Sequence, residues 1–136
     1  EGVFDEQDLI RRTHELADFI GEARARYDLP APIAVGFSNG ANIAASLLLL
    51  RPEALAGAAL LRAMPTLREP PRPDLTGKPV LLLSGALDPI VPAAESDGLA
   101  TLLREAGASV EYRSLPSGHG LAQADIALLK DWLARN

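Results

Sequence analysis

Cysteine is absent from the 136 residues, which removes disulfides, thiolate metal ligands and a cysteine nucleophile together. Only His14 and His119 supply imidazole, too few and too far apart in the chain to suggest a zinc centre, and no metal is expected. Aromatic residues make up 4% of the chain, so a core must be built mainly from Leu, Ala, Val and Ile. Long apolar runs are also missing. The stretch Ile43 to Leu50 is interrupted by Ser46 and falls far short of the roughly 20 residues needed to span a bilayer, so no membrane span is expected. Basic residues are scattered and the formal net charge is −5, which leaves neither a phosphate-tracking stripe nor a polybasic membrane patch; nucleic acid is not an expected partner. Neither a G-x-G-x-x-G nor a G-x-x-x-x-G-K-[ST] run occurs, which argues against nucleotide binding.

What is present is the composition of an ordinary globular domain, 48% hydrophobic and 23% charged. At this length a single domain is expected. The sequence begins at Glu1 and its one methionine is Met64, so an upstream segment is expected, with any export signal out of view; the expected location is cytoplasmic.

Hydrophobic spacing predicts an amphipathic helix over Asp8 to Tyr27, with Leu9, Leu16, Ile20, Ala23 and Tyr27 on one stripe, ending before Pro30. Ile33 to Phe37 reads as a short buried strand and Gly40 to Leu50 as a helix. Further strands are expected at Leu55–Leu61, Pro79–Ser84 and Val110–Leu115, with a helix at Ala93–Ala106 between the last two. Leu121 to Arg135 closes the chain as a helix with Leu121, Ile126, Leu129, Trp132 and Leu133 directed inward. The prolines of Arg62 to Lys78 favour a loop over the sheet edge. Strands alternating with helices, without tight hairpins, imply an α/β fold with a mostly parallel sheet.

Gly36-Phe37-Ser38-Asn39-Gly40 lies between the first strand and the helix after it, the setting in which a G-x-S-x-G match has a mechanism. A sharp strand-to-helix turn strains the serine backbone and lifts its hydroxyl above the sheet, while the flanking glycines allow close approach. Ser38 is the candidate nucleophile and the Asn39 backbone N–H a candidate oxyanion donor. Asp88 follows the most apolar strand, in Asp88-Pro89-Ile90-Val91-Pro92, and His119 follows the fourth strand in Gly118-His119-Gly120. Taken singly, an Asp before proline is as readily a turn residue, and a His between glycines is more often a solvated one. Together their order, Ser then Asp then His after successive strands, is that of an orienting acid and general base serving the serine. Phe37, Met64 and Leu87 are candidate walls of a substrate pocket, although Met64 serves equally well as an anchor for its loop. His14 and the charged runs of the first helix read as solvated surface.

On Gly36-Phe37-Ser38-Asn39-Gly40, Asp88-Pro89-Ile90-Val91-Pro92 and Gly118-His119-Gly120, the chain resembles the phospholipase/carboxylesterase family of α/β-hydrolases, from about Asp8 to the C-terminus. The resemblance implies helices on both faces of the sheet, and Ser38, Asp88 and His119 as nucleophile, acid and base. It also implies a small carboxylic ester or thioester as substrate, no cofactor, and frequent homodimers. The family carries further strands ahead of the first helix, with a His-Gly loop supplying a second oxyanion donor, and nothing before Asp8 corresponds to them. The domain is therefore expected to be incomplete at its N-terminus, with Ile33–Phe37 pairing with an upstream portion or another copy. An inactive hydrolase-like module is the alternative expectation.

Overall fold

A computed structural model describes residues 5–136. The first helix, α1 (Glu6–Tyr27), starts where the Asp5 carboxylate accepts the Asp8 N–H at 3.0 Å, an N-cap that satisfies one of the free first-turn donors. It stops at Asp28, whose left-handed backbone (φ 55°) turns the chain toward Pro30. The chain then alternates β1 (Ile33–Phe37), α2 (Asn39–Leu50), a 3-10 turn at Pro52–Ala54, β2 (Gly57–Leu61), β3 (Pro79–Gly85), α3 (Ala93–Glu105), β4 (Ser109–Leu115) and α4 (Gln123–Arg135). The expected strand from Leu55 is shortened at its start by the turn that Pro52 initiates.

The four strands are parallel and lie in sequence order, β1-β2-β3-β4. Side chains alternate across the sheet, so each strand serves two layers. Ala58, Leu60, Val80 and Leu82 point into a cluster with α2 and α3, to which Ala17 of α1 adds from outside. Ala59, Leu61, Leu81 and Leu83 point the other way, onto Trp132 of α4. The helices thus cover both faces. Central β2 is buried along its whole length, as is β3 beyond Pro79, and each fully buried leucine contributes roughly 1.5–3 kcal/mol of transfer free energy.

Three further sequence expectations change. First, β1 is the expected edge strand among the described residues but is not buried: Val35 (52% exposed) and Phe37 (41%) share the α4 side of the sheet with Ala59 and Leu61, and α4 packs over β3 and leaves them uncovered. Second, Arg62–Lys78 does not run over a sheet edge. It carries the crossover between two adjacent central strands, and Ala63 and Leu75 are buried in the α2/α3 layer, where a helix would otherwise sit. Third, the inward face of α4 is Asp125, Leu128, Leu129 and Trp132, whereas Leu121, Ile126 and Leu133 are 40–44% exposed. A buried carboxylate on that face rotated the helix away from the stripe an apolar reading selects.

Trp132, 2% exposed and central to the α4 layer, should cost about 3–5 kcal/mol when replaced by Ala, against less than about 1 kcal/mol for Leu133→Ala. Urea denaturation of the two variants checks the ranking.

Candidate active site

The turn from β1 to α2 is unusually tight. Ser38 adopts φ 57° and ψ −116°, a conformation that costs a non-glycine residue about 1–3 kcal/mol and persists only where its surroundings fix it. They do so from both sides: the Ser38 N–H donates to the Leu61 carbonyl at 2.8 Å, and the Ser38 carbonyl accepts from the Asn42 N–H at 3.0 Å. Of the two flanking glycines, Gly36 is the one that sterics demand. A Cβ there would lie 2.5 Å from the Gly40 carbonyl, whereas a Cβ on Gly40 would meet nothing within 4 Å. The Asn39 N–H opens α2, where helix geometry provides no intrahelical acceptor.

Asp88 sits in the loop after β3 with its side chain fully buried. Its Oδ1 accepts the Ile90 N–H at 2.7 Å and the Val91 N–H at 3.0 Å, which leaves Oδ2 facing His119. Burial pushes the carboxyl pKa up, but the Val91 N–H, the His119 ring and the Ile90 N–H outweigh it and hold the group below the ordinary carboxylate range. His119 comes from the loop after β4. Gly85 at the end of β3 lets that loop approach, since a Cβ there would lie 2.3 Å from the Gly118 carbonyl oxygen.

The structure brings the three residues together. His119 Nδ1 lies 2.8 Å from Asp88 Oδ2 and Nε2 lies 3.0 Å from Ser38 Oγ, spanning 81 residues of chain between Ser38 and His119. With Nδ1 protonated and held by the carboxylate, Nε2 is free to take the serine proton. The Phe37 ring packs beside the imidazole at 5.2 Å between centroids. Leu87 is 72% exposed next to the His119 loop, its N–H bound to the Ser117 carbonyl at 3.0 Å. Met64 is half-buried and its N–H donates to Asn42 Oδ1 at 3.0 Å, so its backbone serves the anchoring role as well. A cavity of about 370 Å³ adjoins the elbow, lined by Leu9, Arg12, Asn39, Asn42 and Ile43 with Asp5 and Asp8; Phe37, Met64 and Leu87 do not line it. Among the described residues no cluster of three His, Cys, Asp or Glu side chains is arranged to hold a metal, and no helix is long and apolar enough to cross a membrane.

Sequence reasoning missed Arg62 and Asp125. Both are completely buried and paired at 2.9 Å beneath the His119 loop. A signal did exist: Arg62 directly extends a strand with no solvent-facing side, and Asp125 stands at i, i+3, i+4 and i+7 spacing with Leu128, Leu129 and Trp132.

A parallel sheet sandwiched by helices, with a strained serine at a strand-to-helix turn and an imidazole and carboxylate delivered by later strands, defines the class as α/β-hydrolase. The chain belongs to the phospholipase/carboxylesterase family, whose model it matches over residues 4–136. It is 44% identical over 134 residues to the putative hydrolase MhqD of Bacillus subtilis (strain 168), covering 97% of this chain and 67% of that protein. The carboxylesterase of Bacillus cereus is 42% identical with a TM-score of 0.93, over 99% of this chain and 65% of its own. A carboxylesterase from Mesorhizobium loti is 38% identical with a TM-score of 0.89, over 98% of this chain and 64% of its own. The chain spans about two thirds of the length of these relatives.

Two outcomes follow from the geometry. Gly36→Ala should destabilise the fold by about 1–3 kcal/mol through overpacking against the α2 backbone, while Gly40→Ala is tolerated, as denaturant midpoints would show. Because the folded pKa of Asp88 is depressed, its ionised form stabilises the fold above the unfolded value of about 3.9, and that contribution disappears as pH falls through the folded pKa. The stability gap between wild type and Asp88→Asn should therefore narrow as pH is lowered from about 5 toward 3, measured by denaturation at each pH.

Proposed function

We propose that the chain carries the nucleophile, acid and base of a serine hydrolase that cleaves small carboxylic esters or thioesters through an acyl-enzyme. The observation that carries this reading is the hydrogen-bonded series Ser38 Oγ, His119 and Asp88 Oδ2, with contacts of 3.0 and 2.8 Å. Ser38 Oγ attacks the substrate carbonyl as His119 Nε2 removes its proton; Asp88 keeps Nδ1–H in place and stabilises the imidazolium. The Asn39 N–H, at the positive end of α2, donates to the oxyanion of the tetrahedral intermediate. Collapse expels the alcohol or thiol, which takes the proton from His119. Water then attacks the acyl-serine with His119 as base, releasing the acid and restoring the serine. No cofactor enters this chemistry.

Phe37, whose ring packs beside His119, and Leu87, exposed next to the His119 loop, would contact the acyl group, with Met64 as a further wall. The uncovered edge of β1 would pair with a further strand of the same polypeptide, a reading supported by the length of the relatives, of which this chain spans about two thirds.

A fluorophosphonate probe tests the reading in the full-length protein. Ser38 should be labelled, Ser38→Ala should abolish labelling, and kcat for a small ester should fall by about 10⁴-fold or more in Ser38→Ala and His119→Ala. A folded full-length protein whose Ser38 resists the probe would overturn it.

A further inference from the structure

We propose that Arg62 is a positioning residue for the general base, a role that rests on the serine-hydrolase reading above. Arg62 follows β2 directly, and its N–H continues the sheet ladder to the Leu83 carbonyl at 2.8 Å. Its backbone is left-handed, with φ 60°, which is strained for arginine and aims the side chain across the end of β3. The side chain is wholly buried.

Its donors converge on the His119 loop. Nε donates to the Gly118 carbonyl at 3.0 Å, and Nη2 donates to the Gly120 carbonyl at 3.1 Å and to Ser117 Oγ at 3.2 Å. The carbonyls of Gly118 and Gly120, the residues on either side of His119 in the chain, are thus held by one rigid planar group. Nη1 and Nη2 also bind Asp125 Oδ1 and Oδ2, each at 2.9 Å, and Nη1 reaches the Leu83 carbonyl at 3.4 Å. Asp125 Oδ2 accepts the Ala122 N–H at 2.8 Å, which ties the same cluster to the start of α4.

Two features point to positioning over simple cohesion. A buried ion pair gives little net stability compared with well-packed apolar side chains of similar volume, so stability alone is a poor reason for placing one here. The guanidinium also offers a fixed fork of donors that can grip two carbonyls and a carboxylate at once, which a lysine ammonium cannot. The loop bearing His119 follows β4, an outer strand that pairs only with β3 among the described residues; Arg62, at the end of central β2, connects that loop to the sheet centre.

The test is made in the full-length protein, using Arg62→Met/Asp125→Leu, which replaces the pair with apolar volume and preserves core packing. The double variant leaves the Gly118 and Gly120 carbonyls and the Ala122 N–H without these partners and melts lower. At a temperature where it is fully folded, positioning predicts fluorophosphonate labelling about 100-fold slower, and kcat for a small ester lowered by about the same factor with KM unchanged, because an ångström-scale shift of a reacting group costs that much. Arg62→Lys keeps a cation beside Asp125 without the fork, and should be slowed at least about tenfold. A labelled wild type with both variants labelled at the same rate would overturn the positioning role alone. An unlabelled wild type would remove the serine-hydrolase reading and this role with it.

Discussion

Three backbone hydrogen bonds at one rim of the sheet set the geometry of everything above it. The Ser38 N–H meets the Leu61 carbonyl, the Arg62 N–H the Leu83 carbonyl and the Ala86 N–H the Leu115 carbonyl, each at 2.8 Å. They are the last rungs of the β1/β2, β2/β3 and β3/β4 ladders, and each fixes where its strand releases the chain into a loop. A parallel sheet places all its carboxyl ends on one edge, so the loops that follow share a common floor. Ser38, Asp88 and His119 meet because that floor is rigid and their loops are short.

The rim concentrates strain. Ser38 and Arg62 both have left-handed backbones, and both follow strands whose ladder bonds hold them there. Such strain is tolerated because the two apolar layers beneath are dense: leucines of β2 and β3 are buried on both faces, between α2 and α3 on one side and Trp132 on the other. Polar groups buried at the same rim are all matched. Asp88 has two backbone donors and the imidazole; Arg62 has carbonyls and a carboxylate; among the described residues no buried side-chain polar atom lacks a partner. An unmatched group there would carry a desolvation penalty large relative to the stability of a domain this size.

Strand and helix succession, the serine turn and the order of Ser38, Asp88 and His119 were legible in the chain because each is a local pattern. An apolar run bounded by proline and glycine admits few alternatives, and a strand-to-helix turn around serine has a steric reason for its glycine. The misread parts were those in which a distant residue decides. Val35 and Phe37 look like core, but their exposure depends on α4 lying over β3. Leu121, Ile126 and Leu133 look like an inward stripe, but Asp125 takes that position since Arg62, 63 residues away, neutralises it. The proline-bearing segment looks like an edge loop, but Leu75 enters the α2/α3 core and the segment replaces a crossover helix.

Periodicity, turn chemistry and chain order thus determined the fold class and singled out Ser38, Asp88 and His119 as the groups proposed to react, because those depend on spacing along the backbone. Tertiary structure alone decided which face of each element is buried, how closely the hydroxyl, imidazole and carboxylate approach, and that a buried guanidinium supports the loop between them. Those outcomes depend on contacts between residues far apart in sequence, where burial can make a charge favourable only if its partner arrives in the same place.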